Sequence, residues 1–183
     1  MDSEPQTTEA KRRARPPLDA EGLERLGLFY AGRYATTRAK LADYLRRKLR
    51  ERGWSGPGAP PVEALVERFA GLGYVNDAAF AEARAGALLR RGYGERRVAQ
   101  ALRAAGIDAE DAAPARQEAE SQAEDAALRF ARRRRIGPYA EAPLDREARQ
   151  KAVAAMLRAG HRLDLVRRIL DASPGEIPDP DLS

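Results

Sequence analysis

The sequence predicts an all-α fold, an elongated tandem array of three three-helix repeats with no sheet. Hydrophobic residues make up 43% of the 183 residues, and alanine dominates them while β-branched residues are few, which favours helix over strand. No segment alternates apolar and polar residues for long, so strands are not expected. Helix-ending glycines recur at an equal spacing, which indicates an internal repeat.

The repeat is visible in three similar helix ends. Each ends in a glycine followed by a larger side chain, and these glycines, Gly53, Gly106 and Gly160, lie 53 and 54 residues apart. Glycine commonly follows the last turn of a helix because it adopts a left-handed backbone at little cost. Apolar residues precede the glycines by four and by eight positions: Leu49, Leu102 and Met156, and Leu45, Val98 and Ala152.

The first repeat is predicted to hold helices over residues 22–33, 37–52 and 61–72. In its third helix, apolar residues have the spacing of one buried helical face. They are Val62, Leu65, Val66, Phe69 and Leu72. The glycine- and proline-rich run at 55–61 is too short for a domain boundary, so we expect a surface loop.

The second and third repeats follow the same plan. Asn76 and Asp77 are placed to cap the first helix of the second repeat, and Asp145 the middle helix of the third, because short polar side chains bind free N–H groups at helix starts. The predicted helices cover residues 77–91, 94–105, 109–119, 121–135, 145–159 and 162–171.

The predicted domain limits follow from these helices. Residues 1–21 lack periodicity and are expected to form a disordered tail, and residues 172–183, rich in proline and acids, a second tail. The three repeats are predicted to span residues 22–75, 76–120 and 121–171.

Positive charge is the second feature of the chain. The net charge is +5, and four of the 33 basic residues are lysines, which leaves 29 arginines. The arginine excess reflects either a generally arginine- and alanine-rich composition or a partner that carries carboxylates or phosphates, which the guanidinium fork matches.

The helix at 94–105 separates its charge from its core side. At about 100° per residue, Ala101, Leu102 and Ala105 lie within about 60° of Val98. Arg96, Gln100 and Arg103 lie near the opposite pole. A charged stripe of this kind is common on any surface helix, but basic helices recur in all three repeats and could together form one extended surface.

Several classes of function are excluded or disfavoured. There is no cysteine, and His161 is the one histidine, so we expect no metal site, no cofactor and no Ser-His or Cys-His catalysis. The glycines of the run at 92–94 lack the pattern of a dinucleotide site, and no phosphate-binding loop motif is present. His161, which follows a glycine, is expected at the surface or in a cap. The first twenty residues lack the apolar segment of a signal peptide, and no stretch has membrane-spanning length, so we expect a cytoplasmic protein without membrane contact.

The run "GYVNDAAFAEARAGALLRRGYGERRVAQALRAAGI", residues 73–107, resembles the central region of the RecX regulatory proteins. The shared pattern is Gly-Tyr, an Asn/Asp pair and Phe-Ala, then an arginine-rich helix and a closing Gly-Ile. The upstream "YATTRAKLADYLRRKLRERGW" resembles the first repeat of that family. The resemblance covers about residues 28–170, although the loop at 55–61 is longer than usual.

The resemblance implies a protein built from three-helix repeats that binds the RecA nucleoprotein filament. Family members modulate RecA, most often by inhibiting its ATPase, strand-exchange and co-protease activities in DNA repair, recombination and the SOS response. It also implies a non-enzymatic protein, here expected to be a monomer, with weak, phosphate-directed DNA binding.

Binding is predicted to depend on arginines of the basic helices, which would pair with acidic RecA surfaces or with phosphates. They are Arg84, Arg90, Arg91, Arg96, Arg97 and Arg103, followed by Arg46, Arg47 and Arg50. Two other readings stay open: a stand-alone DNA-binding protein of helix-turn-helix character, and a helical adaptor whose charge serves solvation.

Overall fold

A computed structural model describes residues 15–176 of the chain. Within this range the backbone forms nine α-helices and one short 3₁₀ turn, Gly137–Tyr139. None of these helices is both long and apolar enough to cross a lipid bilayer. In chain order they are α1 (Ala20–Arg33), α2 (Arg38–Arg52), α3 (Val62–Gly71), α4 (Asp77–Arg90), α5 (Glu95–Ala104), α6 (Ala109–Ser121), α7 (Ala123–Arg134), α8 (Arg146–Arg158) and α9 (Leu163–Asp171).

The all-α array of three-helix repeats is confirmed. Every helix boundary lies within two residues of its predicted position. The described residues contain no strand, and their one β-type contact is an isolated bridge between Leu18 and Trp54. The loop at 55–61 lies beside Trp54, whose indole N–H donates to the Gly58 carbonyl at 3.0 Å. How far the repeats behave as separate domains stays a prediction.

Each repeat has its own cluster of buried side chains. The first is centred on Leu45 and Phe69, the second on Leu89 and Leu102, and the third on Met156. Five of the twelve buried residues in the second cluster are alanines of α4 and α6, whose small side chains allow the two helices to pack closely. The many alanines of the sequence thus contribute buried side chains to this core, and they also favour helix.

The repeated glycines end their helices in the predicted way. Gly53, Gly106 and Gly160 all have positive φ, at 83°, 71° and 95°. After the second and third, the next residue closes the helix end: the Ile107 N–H donates to the Leu102 carbonyl, and the equivalent bond forms in the third repeat. The chain after Gly53 is held differently. The Leu18 N–H donates to the Gly53 carbonyl, and the Ser55 N–H donates to the Leu18 carbonyl.

The predicted disordered N-terminal tail, residues 1–21, ends earlier in the structure than expected. Leu18 is 1% exposed and belongs to the first core, and α1 already begins at Ala20, where the Asp19 carboxylate accepts the Gly22 N–H. Residues 1–14 lie outside the described part. Within the predicted C-terminal tail, 172–183, the Gly175 N–H donates to the Pro138 carbonyl at 2.9 Å, and residues 177–183 lie outside the described part.

Side-chain caps begin the helices that the sequence marks. The Asn76 side chain accepts the Ala79 N–H, and Asp145 accepts that of Ala148, as predicted. Asp77 has another role, because its side chain is buried and pairs with Arg38 of the first repeat. A single sequence shows a possible cap, but it does not show which neighbour will use a carboxylate.

The contact between the first and second repeats, here called the first joint, is made by side chains. The Thr37 hydroxyl donates to the Ala105 carbonyl at 2.7 Å. Nearby, Gly106 lies against Ala39, so closely that a Cβ on this glycine would come within 2.3 Å of the alanine methyl. The end of α5 therefore packs directly on the start of α2.

Arg38 is the ionic centre of the first joint. Its Nε lies 3.3 Å from Asp77 Oδ2, and its Nη2 lies 3.2 Å from Asp108 Oδ2 and also contacts Asp111. The Glu67 carboxylate is 4.0 Å away. Three of these four carboxylates belong to the second repeat, so one guanidinium connects the two units.

The contact between the second and third repeats, the second joint, is centred on backbone hydrogen bonds. The Gly94 N–H donates to the Ala159 carbonyl at 2.9 Å, and the Arg96 N–H to the Gly160 carbonyl at 3.3 Å. A Cβ on Gly94 would come within 2.4 Å of the Gly160 oxygen. These hydrogen bonds require glycine where the two chain segments meet.

His161 completes the second joint and corrects the predicted surface or capping role. It is 1% exposed, its Nε2 lies 3.1 Å from the Gly92 carbonyl, and its ring meets Phe130 edge-on. Its Nδ1 has no hydrogen-bond partner among the described residues. Burial lowers the pKa of the imidazole, and the hydrogen bond to Gly92 offsets part of that effect.

Candidate binding surfaces

The predicted arginines are all exposed, but the structure divides them among different surroundings. Arg96 and Arg103 line one groove, Arg84 lines another, and Arg46 and Arg47 pair with carboxylates of their own repeat. The nine residues are therefore not equivalent as binding groups.

The first groove lies between α5 and α6 and has a volume of about 720 Å³. We call it the α5/α6 groove. Arg96 and Arg103 reach it from α5 because Val98 and Leu102 turn the other side of that helix into the core. Arg116 reaches it from α6, where Ala112, Ala115 and Ala119 form the buried side. Three guanidinium groups thus line one concave surface.

These three arginines form no ion pair with the described residues. Among residues 15–176, no carboxylate oxygen lies within 4.0 Å of the nitrogens of Arg96, Arg103 or Arg116. Two carboxylates, Glu95 and Glu120, do line the same groove. Uncommitted guanidinium groups are available for bidentate bonds to carboxylates or phosphates.

The two carboxylates of this groove also influence Arg162 of the third repeat electrostatically. The pKa of Arg162 is raised, chiefly by a hydrogen bond and ion pair with Asp164 at 2.8 Å, and also by the charges of Glu95 and Glu120. The two groove carboxylates thus act on a cation beyond the groove.

Arg46 and Arg47 are the predicted residues least suited to binding. Arg46 Nη2 lies 2.6 Å from Glu63, and a second contact joins Arg46 to Asp43 at 3.3 Å. Arg47 lies 3.8 Å from Glu51. For Arg50 no such pair occurs among the described residues. A partner would first have to displace the existing carboxylates from Arg46 and Arg47, so the first repeat contributes less free charge than expected.

Arg90, Arg91 and Arg97 surround the turn between α4 and α5. Arg97 bonds to Gln100 at 3.0 Å, and its guanidinium lies 6.0 Å from the centre of the Tyr93 ring. The Arg91 carbonyl accepts a hydrogen bond from Arg133 of the third repeat. This turn is thus both basic and close to the second joint.

The second groove lies between the end of α1 and the face of α4 and has a volume of about 610 Å³. We call it the α1/α4 groove. Arg84 lines it from α4 and Arg33 from α1, and two exposed tyrosines, Tyr34 and Tyr74, also face it. Arg33 and both tyrosines are absent from the predicted set, because only the pairing of repeats one and two brings them to Arg84.

Arg116 was also missed. It is the one base within the acidic stretch 108–125, and local charge therefore argues against it. The signal that would have found it is the alanine spacing of α6, which fixes the buried side of that helix and turns Arg116 towards the polar side of α5.

Comparison with known proteins gives one consistent result. The family described as RecX, second three-helix domain, matches residues 76–115. The regulatory protein RecX of Myxococcus xanthus (strain DK1622) is 36% identical over 160 residues, covering 83% of this chain and 86% of the relative. The regulatory protein RecX of Agrobacterium fabrum (strain C58) is 32% identical over 147 residues, covering 78% of each.

Solved structures with the same fold are also RecX proteins. The crystal structure of RecX from Lactobacillus salivarius aligns with a TM-score of 0.64 at 18% identity, over 83% of this chain and 94% of that one. A second, described as the crystal structure of regulatory protein RecX, gives 0.59 at 19% identity, over 83% and 73%. The likeness extends over most of the described helices.

Proposed function

Because this chain belongs to the RecX family, we propose that it binds the RecA nucleoprotein filament and inhibits RecA. The inhibited activities are ATP hydrolysis, strand exchange and co-protease action in recombinational repair and the SOS response. The chain acts as a cytoplasmic monomer, by binding rather than by catalysis.

The observation that carries the proposal is the α5/α6 groove. Arg96, Arg103 and Arg116 place three guanidinium groups around one concavity, without a carboxylate of residues 15–176 in salt-bridge range. A nucleoprotein filament offers two anionic counterparts, carboxylates of the protein and phosphates of the DNA, and guanidinium forks bind both.

The tandem fold supports binding to a repeating partner. The two joints connect each repeat to the next through specific contacts, so a partner could contact more than one repeat at once. Contacts made by linked units reinforce one another, because each later contact forms at a high effective concentration. A filament with repeated subunits is suited to such binding.

The test is a titration of the DNA-dependent ATPase of RecA with this protein and with the double variant Arg96→Glu/Arg103→Glu. We expect the wild type to suppress the rate at equal or lower ratios to RecA, and the variant to need at least about tenfold more protein.

The matched control is Arg158→Glu/Arg167→Glu, which changes net charge by the same amount at exposed sites outside the groove and without a described carboxylate partner. It should inhibit like the wild type. An ATPase rate that does not change over a broad titration of wild-type protein would contradict the proposal, and equal loss in both variants would show that only net charge matters.

Stand-alone DNA binding is the second candidate, because the arginines of the α5/α6 groove suit phosphates as well as carboxylates. Its distinguishing result is tight, sequence-selective binding to duplex DNA in the absence of RecA. Weak binding that depends on salt and not on sequence would indicate phosphate contact alone, and would favour the filament as the partner.

A further inference from the structure

The α1/α4 groove combines an apolar floor with two aromatic side chains at its edge. Alanines of α4, among them Ala83 and Ala87, form the floor. Tyr34 is 51% exposed and Tyr74 is 53% exposed, so both rings are open to a partner. Exposed aromatic residues beside an apolar recess are characteristic of sites where a partner inserts a side chain.

Both rings are held by buried or stacked neighbours. The Tyr34 ring centre lies 5.3 Å from that of Tyr30, which itself stacks on Tyr44 at 4.1 Å. The Tyr74 ring meets the buried Phe69 ring edge-on at 5.6 Å. Tyrosines supported in this way lose little conformational entropy when a partner covers them, which favours binding.

Two arginines give the groove its charge. Arg33 and Arg84 both line it, and no carboxylate of residues 15–176 lies within 4.0 Å of either guanidinium. Arg33 lies 5.9 Å from the centre of the Tyr34 ring, so cation and ring face a partner together. The complement of this surface is an apolar side chain with carboxylates beside it.

We infer that the α1/α4 groove binds a protein segment that inserts an apolar side chain between Tyr34 and Tyr74 and directs carboxylates to Arg33 and Arg84. The floor argues for a protein segment over a nucleic acid. Alanine methyls offer no hydrogen bonds to base edges, and the side-chain oxygen of Asn76 already accepts the Ala79 N–H. This inference rests on the proposed function, in that the RecA filament is the partner used to test it.

The experiment measures binding of labelled protein to two probes: RecA filaments assembled on single-stranded DNA, and the same oligonucleotide without RecA. Two variants change the groove in different ways, Tyr34→Ala/Tyr74→Ala its rings and Arg33→Glu/Arg84→Glu its charge. The charge variant leaves the aromatic packing of the first repeat in place, so it remains informative if the tyrosine variant folds poorly.

We expect both groove variants to bind filaments at least about tenfold more weakly, with binding of the bare oligonucleotide unchanged. The controls are Phe29→Ala/Leu163→Ala, exposed apolar residues outside the groove, and Arg158→Glu/Arg167→Glu. Both controls should bind like the wild type.

The outcomes separate this inference from the proposed function. Groove variants that bind filaments like the wild type, while Arg96→Glu/Arg103→Glu does not, would overturn the inference and leave the proposed function standing. A parallel loss of bare-oligonucleotide binding would assign the groove to nucleic acid and also overturn it. Wild-type protein that binds no filament would overturn both.

Discussion

The first joint is connected mainly by side chains and the second mainly by backbone hydrogen bonds, although both bring one repeat against the next. At the first, Arg38 lies among four carboxylates and Thr37 donates to the Ala105 carbonyl. At the second, Gly94 and Gly160 bring two chain segments into direct contact, and N–H groups bond across the contact.

This difference teaches that repeats of one architecture are assembled by interactions with different sensitivities. Ionic contacts are long-ranged, weakened by salt and tolerant of small shifts. The backbone hydrogen bonds of the second joint, which join Gly94 to Ala159 and Arg96 to Gly160, are directional, and the close approach of the two glycines leaves no room for a side chain. We therefore expect the first joint to respond to ionic strength and the second to respond to side-chain volume.

The largest effect is expected for Gly94→Ala at the second joint. The new methyl would meet the Gly160 oxygen at 2.4 Å, and relieving that overlap breaks the hydrogen bonds across the joint. The expected loss is about 3 kcal/mol in the free energy of unfolding, measured by urea denaturation. Gly71→Ala is the control, since no atom lies within 4 Å of its Cβ position. If the two variants are equally stable, the explanation that the second joint has no room for a side chain at Gly94 is wrong.

A smaller effect is expected for Arg38→Met at the first joint. The variant leaves the Asp77 carboxylate, whose side chain is 2% exposed, without its ion pair, at a cost of about 2 kcal/mol. The difference from wild type should shrink as sodium chloride rises, because the outer carboxylates are exposed. Chemical denaturation by urea at several salt concentrations measures it.

Arg25→Met is the comparison for Arg38→Met, because Arg25 makes an exposed pair with Glu21 one helical turn away. Such a pair contributes about 0.5 kcal/mol or less. If both variants lose equally little, Arg38 does not connect the repeats energetically.

The smallest effect is expected from the titration of His161 at the second joint. The pKa of the folded state lies below that of the unfolded state, so the neutral form is favoured by folding. The contribution of His161 to the free energy of unfolding is therefore fully present above the unfolded pKa of about 6.5. It declines as the pH falls from there towards the folded pKa.

His161→Gln supplies the control, since its amide retains a donor for the Gly92 carbonyl but does not titrate. Thermal unfolding between pH 7.5 and 5.0 should show a decline for the wild type that is missing from the variant. Parallel curves would show that His161 does not couple the second joint to pH.

Sequence reasoning predicted the helices well and the contacts between them poorly. Glycines such as Gly106 and Gly160 mark helix ends through local backbone geometry, which one segment determines by itself. The positions of Arg96 and Arg103 opposite Val98 likewise follow from the helical period alone. These features need no knowledge of the neighbouring helices.

The features that the sequence did not predict depend on which helices pack against each other. Arg116 lines a groove with Arg96 only because α6 packs beside α5, and Tyr34 lines a groove with Arg84 only because the first two repeats pack together. His161 follows a glycine, as a surface residue often does, yet the neighbouring repeat buries it. These positions are decided by packing between residues far apart in the sequence. A single sequence does not reveal which helices make such contacts.

The position of Leu18 has a practical consequence for shortened forms of this protein. Its backbone N–H donates to the Gly53 carbonyl at 3.0 Å and its carbonyl accepts the Ser55 N–H, while its side chain fills the first hydrophobic cluster. A truncation that starts at the first turn of α1 would remove this anchor together with the N-cap. An N-terminally shortened fragment should therefore begin no later than Pro17, so that Leu18 and Asp19 are retained.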